Sequence, residues 1–155
     1  MTIEHRARAH SLPTLLVSEC VLVYLLPDES DAVISWAAKT FEHAAFMCYE
    51  QVRPHDAFGQ MMIQHLQARG APLHGLDKYA SCEAHEVRYR DCGWDAVTSR
   101  DMNDVYYKQL PKAAVEAAEK VELFDELEEW WLMMSHYQTS VAVKGKPELH
   151  ALLWQ

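Results

Sequence analysis

Hydrophobic positions fall into alternating strand-like and helix-like stretches. Thr14 to Val23 is a near-continuous apolar run rich in β-branched and leucine side chains, predicting a strand covered on both faces. Pro27 then opens a predicted helix, with Asp28 and Glu29 in its first turn and Val33, Trp36, Ala37 and Phe41 at helical spacing. Ala44 to Tyr49 predicts a second buried strand. Phe58 to Arg69 predicts a helix, with Met61, Met62, His65 and Leu66 on one side and Gly70 as its stop. Further on, the pattern predicts a helix over Glu83 to Arg90, a strand within Thr98 to Val105 and one long acidic helix over Ala113 to Ser135. Tyr137 to Lys144 alternates polar and apolar residues, as an edge or antiparallel strand with one wetter face does.

Strand, helix, strand, helix in that order is the pattern of a parallel sheet with helices against its faces. A doubly wound sheet normally begins with a strand and a glycine-rich turn for a cofactor. The five glycines here, at 59, 70, 75, 93 and 145, form no such turn. The pattern is that of the later half of a doubly wound α/β fold, in one domain without linker or repeat.

Composition narrows the function classes. The 155 residues are half apolar and carry a net charge of −9, which argues against a phosphate-driven nucleic-acid binder. Much of the acid lies in Glu116 to Glu129, read first as a solvated helix face and second as a docking surface for a basic partner. Four cysteines without a CxxC pair suit a reducing, cytoplasmic compartment. The N-terminal stretch is basic with no apolar core, so no signal peptide is expected, and residues 1–11 are expected to be disordered or atypical. No window is long and apolar enough to predict a membrane span.

Candidate chemistry sits at strand ends, where open α/β sheets bind ligands. Glu19 lies near the end of the first apolar run. It reads equally as a carboxylate at the cleft or as a partner of a nearby cation or turn. YEQVRPHDAFGQ, Tyr49 to Gln60, follows the second strand directly and places a tyrosine, a carboxylate and an amide at its end. The nine histidines form no HExxH, and Cys82 with His85 supplies a single C-x-x-H pair, so no metal site is expected. No GxSxG elbow is present either. Trp130 and Trp131 with Leu132, Met133 and Met134 read as a packing patch, or as cover for a neighbouring element.

LPTLLVSECVLVYL, SDAVISWAAKTF and the YEQVRPHDAFGQMMI block, followed in order by SCEAHEVRY, DMNDVY and VELFDELEE, closely resemble the C-terminal half of leucine carboxyl methyltransferases. The resemblance runs from about Leu12 to Lys144. It implies a single partial domain: the later half of a Rossmann-like class I S-adenosylmethionine-dependent methyltransferase sheet, with parallel strands and a final antiparallel strand. It further implies methyl esterification of the C-terminal leucine carboxylate of the protein phosphatase 2A catalytic subunit, with S-adenosylmethionine as cofactor. Nucleic acid, membrane and metal are not implied.

Residue by residue, the resemblance assigns Glu19 to the cofactor. It assigns Tyr24, Tyr49, Glu50 and Gln51 to the substrate side. Ala57 stands where the family usually has arginine between the aspartate and phenylalanine of its D-x-F-G-Q motif. The glycine turn, the ribose-binding acid and the carboxylate-binding cations of the family lie before this half. This chain alone is therefore expected to bind S-adenosylmethionine weakly or not at all. The alternatives are a related O-methyltransferase, of the wybutosine tRNA or small-molecule type, and a non-catalytic phosphatase-binding fragment.

Overall fold

A computed structural model describes residues 11–121 and 125–154; the expectation for residues 1–11 falls almost entirely outside them. Strands β1 (Thr14–Glu19), β2 (Ala44–Gln51), β3 (Ala96–Asp101) and β4 (Tyr137–Lys144) form one sheet in the order β1-β2-β4-β3. β1 pairs parallel with β2, and β4 runs antiparallel to both β2 and β3. Three strands thus share one direction and the last in sequence opposes them, the expected parallel sheet with a final antiparallel strand. β4 is not an edge, however. It is inserted between β2 and β3, and six of its eight residues are buried.

The first strand stops earlier than the apolar run. Cys20 takes φ +48°, and Leu22–Tyr24 form one 3-10 turn instead of continuing the strand. Helix α1 (Pro27–Thr40) then crosses to β2. Leu26 N–H donates to Glu29 Oε2 at 3.2 Å, and Pro27 needs no donor at the first helical position. Helices α2 (Ala57–Ala68) and α3 (Cys82–Asp91) separate β2 from β3. Asp56 Oδ1 caps α2 by accepting Gly59 N–H at 2.8 Å, and Ser81 Oγ caps α3 by accepting Ala84 N–H at 3.2 Å. β3 begins two residues before the expected span and ends inside it at Asp101, because Asp101 caps a helical turn, Met102–Asp104, that runs into a π-helical turn, Val105–Gln109.

The long helix expected over Ala113 to Ser135 is two helices, α4 (Lys112–Glu119) and α5 (Leu127–Met134). Like charges crowd that stretch, and the backbone at Asp125 and Glu126 is not helical.

One face of the sheet carries the main core. Phe46 and Cys48 of β2 and Ala142 of β4 pack against Ile34, Ala37 and Ala38 of α1, and against Tyr89 and Trp94. Phe46 meets Tyr89 and Trp94 edge-on, with ring centroids 5.6 and 5.8 Å apart. On the other face Ala45, Val141 and Val143 are covered by Leu149, Leu153 and Trp154 from the C-terminal segment. That cover does not reach the edge strand: Leu15 and Val17 are 63% and 65% exposed.

Candidate functional site

Both parallel strands end in a backbone conformation that non-glycine residues seldom adopt. Cys20 follows β1 with φ +48°, and Arg53 follows β2 with φ +57°. Left-handed non-glycine residues persist where surrounding contacts enforce them, and they gather at functional sites. Here they turn the chain sharply over the carboxyl ends of the strands. Arg53 is held by its N–H bond to Ala80 O at 2.9 Å and by an ion pair with Asp101 at 3.3 Å.

Strand parity sorts the candidate residues. Glu19 pairs with Tyr49 in the β1–β2 register, and Tyr49 with Gln51 pairs with Thr139 and Tyr137 of β4. Paired residues share a face, so Glu19, Tyr49, Gln51 and Tyr137 project together. The rings of Tyr49 and Tyr137 stack with centroids 5.2 Å apart and planes 11° from parallel. Burial, then Tyr137, Cys20 and Glu19 nearby, pushes the Tyr49 hydroxyl up to about 12, so it stays protonated as a donor. Glu19 is exposed, and among the described residues no hydrogen bond or ion pair engages its carboxylate. A groove of about 420 Å³ is lined by Val17, Glu19, Met47, Tyr49, Val105 and Trp154, among others. Tyr24 is half-buried on the 3-10 turn, and burial, Gln51 and the neighbouring Cys20 and Tyr24 act on the Tyr137 hydroxyl.

Glu50 faces the other way. It is 1% exposed; Oε1 accepts the Val23 N–H at 2.6 Å, and Oε2 lies 3.5 Å from Arg88 Nη1. Arg88 in turn donates through Nε to Asp31 Oδ1 at 2.8 Å and through Nη2 to Ser30 Oγ, and its guanidinium lies 3.9 Å from the centre of the Tyr79 ring. Burial pushes the Glu50 carboxyl up, against the pull of Arg88. For Asp31, burial raises the carboxyl, but hydrogen bonds from Tyr79 and Arg88 outweigh it and hold it below its ordinary value. Gly75 N–H bonds Val23 O at 2.9 Å, so the turn carrying Tyr24 is fastened on both sides. The assignment of Glu50 to the substrate side meets a carboxylate committed to internal contacts. Gln51 is also buried, although it shares the face of Tyr49.

The DAFGQ motif is explained by packing. Asp56 caps α2 and meets buried His136 Nε2 at 2.8 Å. Phe58 lies against that imidazole with centroids 4.3 Å apart, and Gln60 Nε2 donates to Pro54 O at 2.7 Å. Gly59 permits the approach, since a Cβ there would lie 2.1 Å from Arg53 O. His85 of the C-x-x-H pair is buried on α3, and burial, then the Arg88 charge, lowers its imidazole to about 3. Among the described residues no group of three or more histidine, cysteine or acidic side chains is placed to hold a metal ion.

Sequence reasoning missed Val105 and Trp154 in the groove, and Cys20 and Tyr137 beside Tyr49. Only Tyr137 left a signal, as an aromatic residue opening a strand. Its register against Gln51 comes from pairing across 86 residues.

The strand-end cleft on a mixed four-stranded sheet defines part of a methyltransferase-type α/β fold. The chain superposes on phosphoethanolamine N-methyltransferase 2 from Haemonchus contortus, solved in complex with S-adenosyl-L-methionine, with a TM-score of 0.51 at 10% identity, covering 85% of this chain and 33% of that one. No family model matches the chain. Leucine carboxyl methyltransferase 1 from Bos taurus is 44% identical over 138 residues, 89% of this chain and 41% of the relative. The Arabidopsis thaliana homologue is 44% identical over 133 residues, 86% of this chain and 40% of its own. The tRNA wybutosine-synthesizing protein 4 of Homo sapiens is 44% identical over 142 residues, 92% of this chain and 21% of its own. Over this span the chain is similar to leucine carboxyl methyltransferases, and it covers about two fifths of the length of those relatives.

Proposed function

We propose that this chain forms the substrate side of an S-adenosylmethionine-dependent enzyme that methyl-esterifies a C-terminal leucine carboxylate, that of the protein phosphatase 2A catalytic subunit. The observation that carries the reading is the pairing of Glu19 with Tyr49 at the ends of two parallel strands, in a chain 44% identical to leucine carboxyl methyltransferase 1. Glu19 suits one contact of such a cofactor. Its carboxylate is accessible beside stacked aromatic rings, and it can accept from ammonium or hydroxyl groups. The bound cofactor would supply an electrophilic methyl group. A carboxylate substrate is already anionic at neutral pH, so the chain needs no base to activate it. Its residues have positioning to do: the protonated Tyr49 hydroxyl offers a donor, and Val17, Met47 and Trp154 offer apolar walls that exclude water. The four cysteines are free thiols, which suits action in the cytoplasm.

The chain, co-purified with the preceding part of a leucine carboxyl methyltransferase, is incubated with labelled S-adenosylmethionine and a peptide ending in leucine, beside the same peptide amidated. Base-labile label on the free-carboxylate peptide alone is the expected product. Label on neither peptide, with calorimetry showing micromolar cofactor affinity, would sink the reading. The equal identity to the wybutosine-synthesizing protein supports a second reading, a tRNA-directed relative. Transfer to tRNA in a parallel reaction would select it, although a net charge of −9 opposes phosphate binding. Capture of the phosphatase without methyl transfer would instead mark a non-catalytic binding fragment.

A further inference from the structure

Helices α4 and α5 bury no side chain completely. α5 nevertheless reads LEEWWLMM, and Trp131, Leu132 and Met133 are 44%, 48% and 42% exposed. Tyr107 and Leu110, on and just after the π-helical turn, are 53% and 43% exposed. Monomeric surfaces seldom leave tryptophan, tyrosine and methionine clustered this way, whereas the centres of protein interfaces are enriched in them.

The ridge is rigid. Trp131 Nε1 donates to the Tyr107 hydroxyl, and the Tyr106 ring lies 4.6 Å from Trp130 at 66°. Tyr106 OH donates to Glu119 Oε1 at 2.9 Å, and Asn103 Nδ2 donates to Trp131 O at 2.9 Å. Aromatic anchors fixed in advance lose little freedom when a partner arrives. A π-helical turn is itself an uncommon element, often found at functional places.

Charge names the partner. Asp125 and Glu126 precede α5 and Glu128 and Glu129 lie in its first turn; all four are exposed and take part in no ion pair among the described residues. Glu116 meets Lys112 at 3.6 Å on the solvent side of α4. An acidic stretch beside an apolar centre is complementary to basic side chains around apolar ones. It repels nucleic acid and anionic membrane alike.

We infer that Tyr107, Leu110, Trp131, Leu132 and Met133 form a docking surface for a protein segment that presents apolar anchors flanked by lysine or arginine. The inference stands whether or not the chain transfers methyl groups.

The full chain is titrated against a fluorescent synthetic peptide with leucine and lysine repeating at helical spacing, and against its glutamate-for-lysine counterpart. Anisotropy should show micromolar binding of the basic peptide only, weakening about tenfold between low and high salt. Trp131→Ala and Leu132→Asp should each weaken it about tenfold or more, while Leu15→Lys, on the opposite edge, should not. Circular dichroism melting confirms that the variants fold. Leu132→Asp carries the test if Trp131→Ala does not, since the Leu132 side chain is half exposed. Absence of binding, equal binding of the acidic peptide, or binding unaltered by either ridge substitution would overturn the inference. So would a dimer of the wild-type chain that Leu132→Asp dissociates, which would make the ridge a self-interface.

Discussion

Glu50 of β2 accepts the backbone N–H of Val23 at 2.6 Å, so a carboxylate on the neighbouring strand fixes the turn that closes β1. The same carboxylate faces Arg88, which is bonded to Asp31 and Ser30 of α1. One buried ion-pair network thus ties β2, α1 and α3 to the segment that presents Tyr24 at the cleft.

Breaking that network from the Glu50 side should be costly. Glu50→Ala leaves the Val23 N–H without its acceptor and takes from buried Arg88 one of its two carboxylates, Asp31 remaining, and about 3–5 kcal/mol of unfolding free energy should be lost. Glu50→Gln keeps an acceptor for Val23 and should cost less, about 1–3 kcal/mol. Urea titrations compare the two. Equal losses would mean that Arg88, and not the turn, sets the requirement.

Acid should unfold the protein through Asp31 and Asp56. Hydrogen bonds from Tyr79 and Arg88 hold Asp31 low despite burial, and the Gly59 N–H and His136 hold Asp56 low. A carboxyl whose folded pKa is depressed stabilises above its unfolded value, and that stability is lost as pH falls through the folded one. Thermal midpoints should therefore drop below about pH 4. Glu50 acts oppositely, since its raised pKa favours the folded state as it takes up a proton. Asp31→Asn should flatten the acid limb, and an unchanged slope would remove Asp31 from the account.

Gly59 tolerates no side chain where it stands. An added Cβ would lie 2.1 Å from Arg53 O and 2.8 Å from the Pro54 carbonyl carbon, both backbone atoms. Gly59→Ala should cost about 3 kcal/mol. Gly75→Ala, whose nearest neighbour is Val23 Cα at 3.4 Å, should cost far less. Differential scanning calorimetry on the pair separates a steric demand at Gly59 from a general intolerance of alanine at glycine positions.

The edge of the sheet should control self-association. Among the described residues β1 has a strand partner on one side only, and Leu15 and Val17 are mostly exposed. A Leu15→Lys, Val17→Lys double variant should scatter less light at a given concentration and melt within about 1 kcal/mol of the parent. Unchanged scattering would place the sticky surface elsewhere.

Local chemistry made much of this legible in the chain. Pro27 with its acidic first turn, Gly70 after α2 and the apolar runs of β1 and β2 act within a few residues, so the strand–helix order was readable. Parity also held information: alternation along YEQ sends Glu50 to the face opposite Tyr49 and Gln51. Residue types at a strand end do not say which of the two faces a side chain meets, so the contacts of Glu50 with Val23 and Arg88 were not readable.

The sequence by itself determined most of the order of strands and helices, the placing of Glu19 at the end of a strand, and the resemblance to leucine carboxyl methyltransferases. Tertiary structure decided what depends on residues far apart in the chain. It inserted β4 between β2 and β3, joined Arg88 to Asp31 across 57 residues, and set His136 against Asp56 across 80. No local pattern encodes such pairings, because each is chosen by the burial and charge balance of the whole sheet.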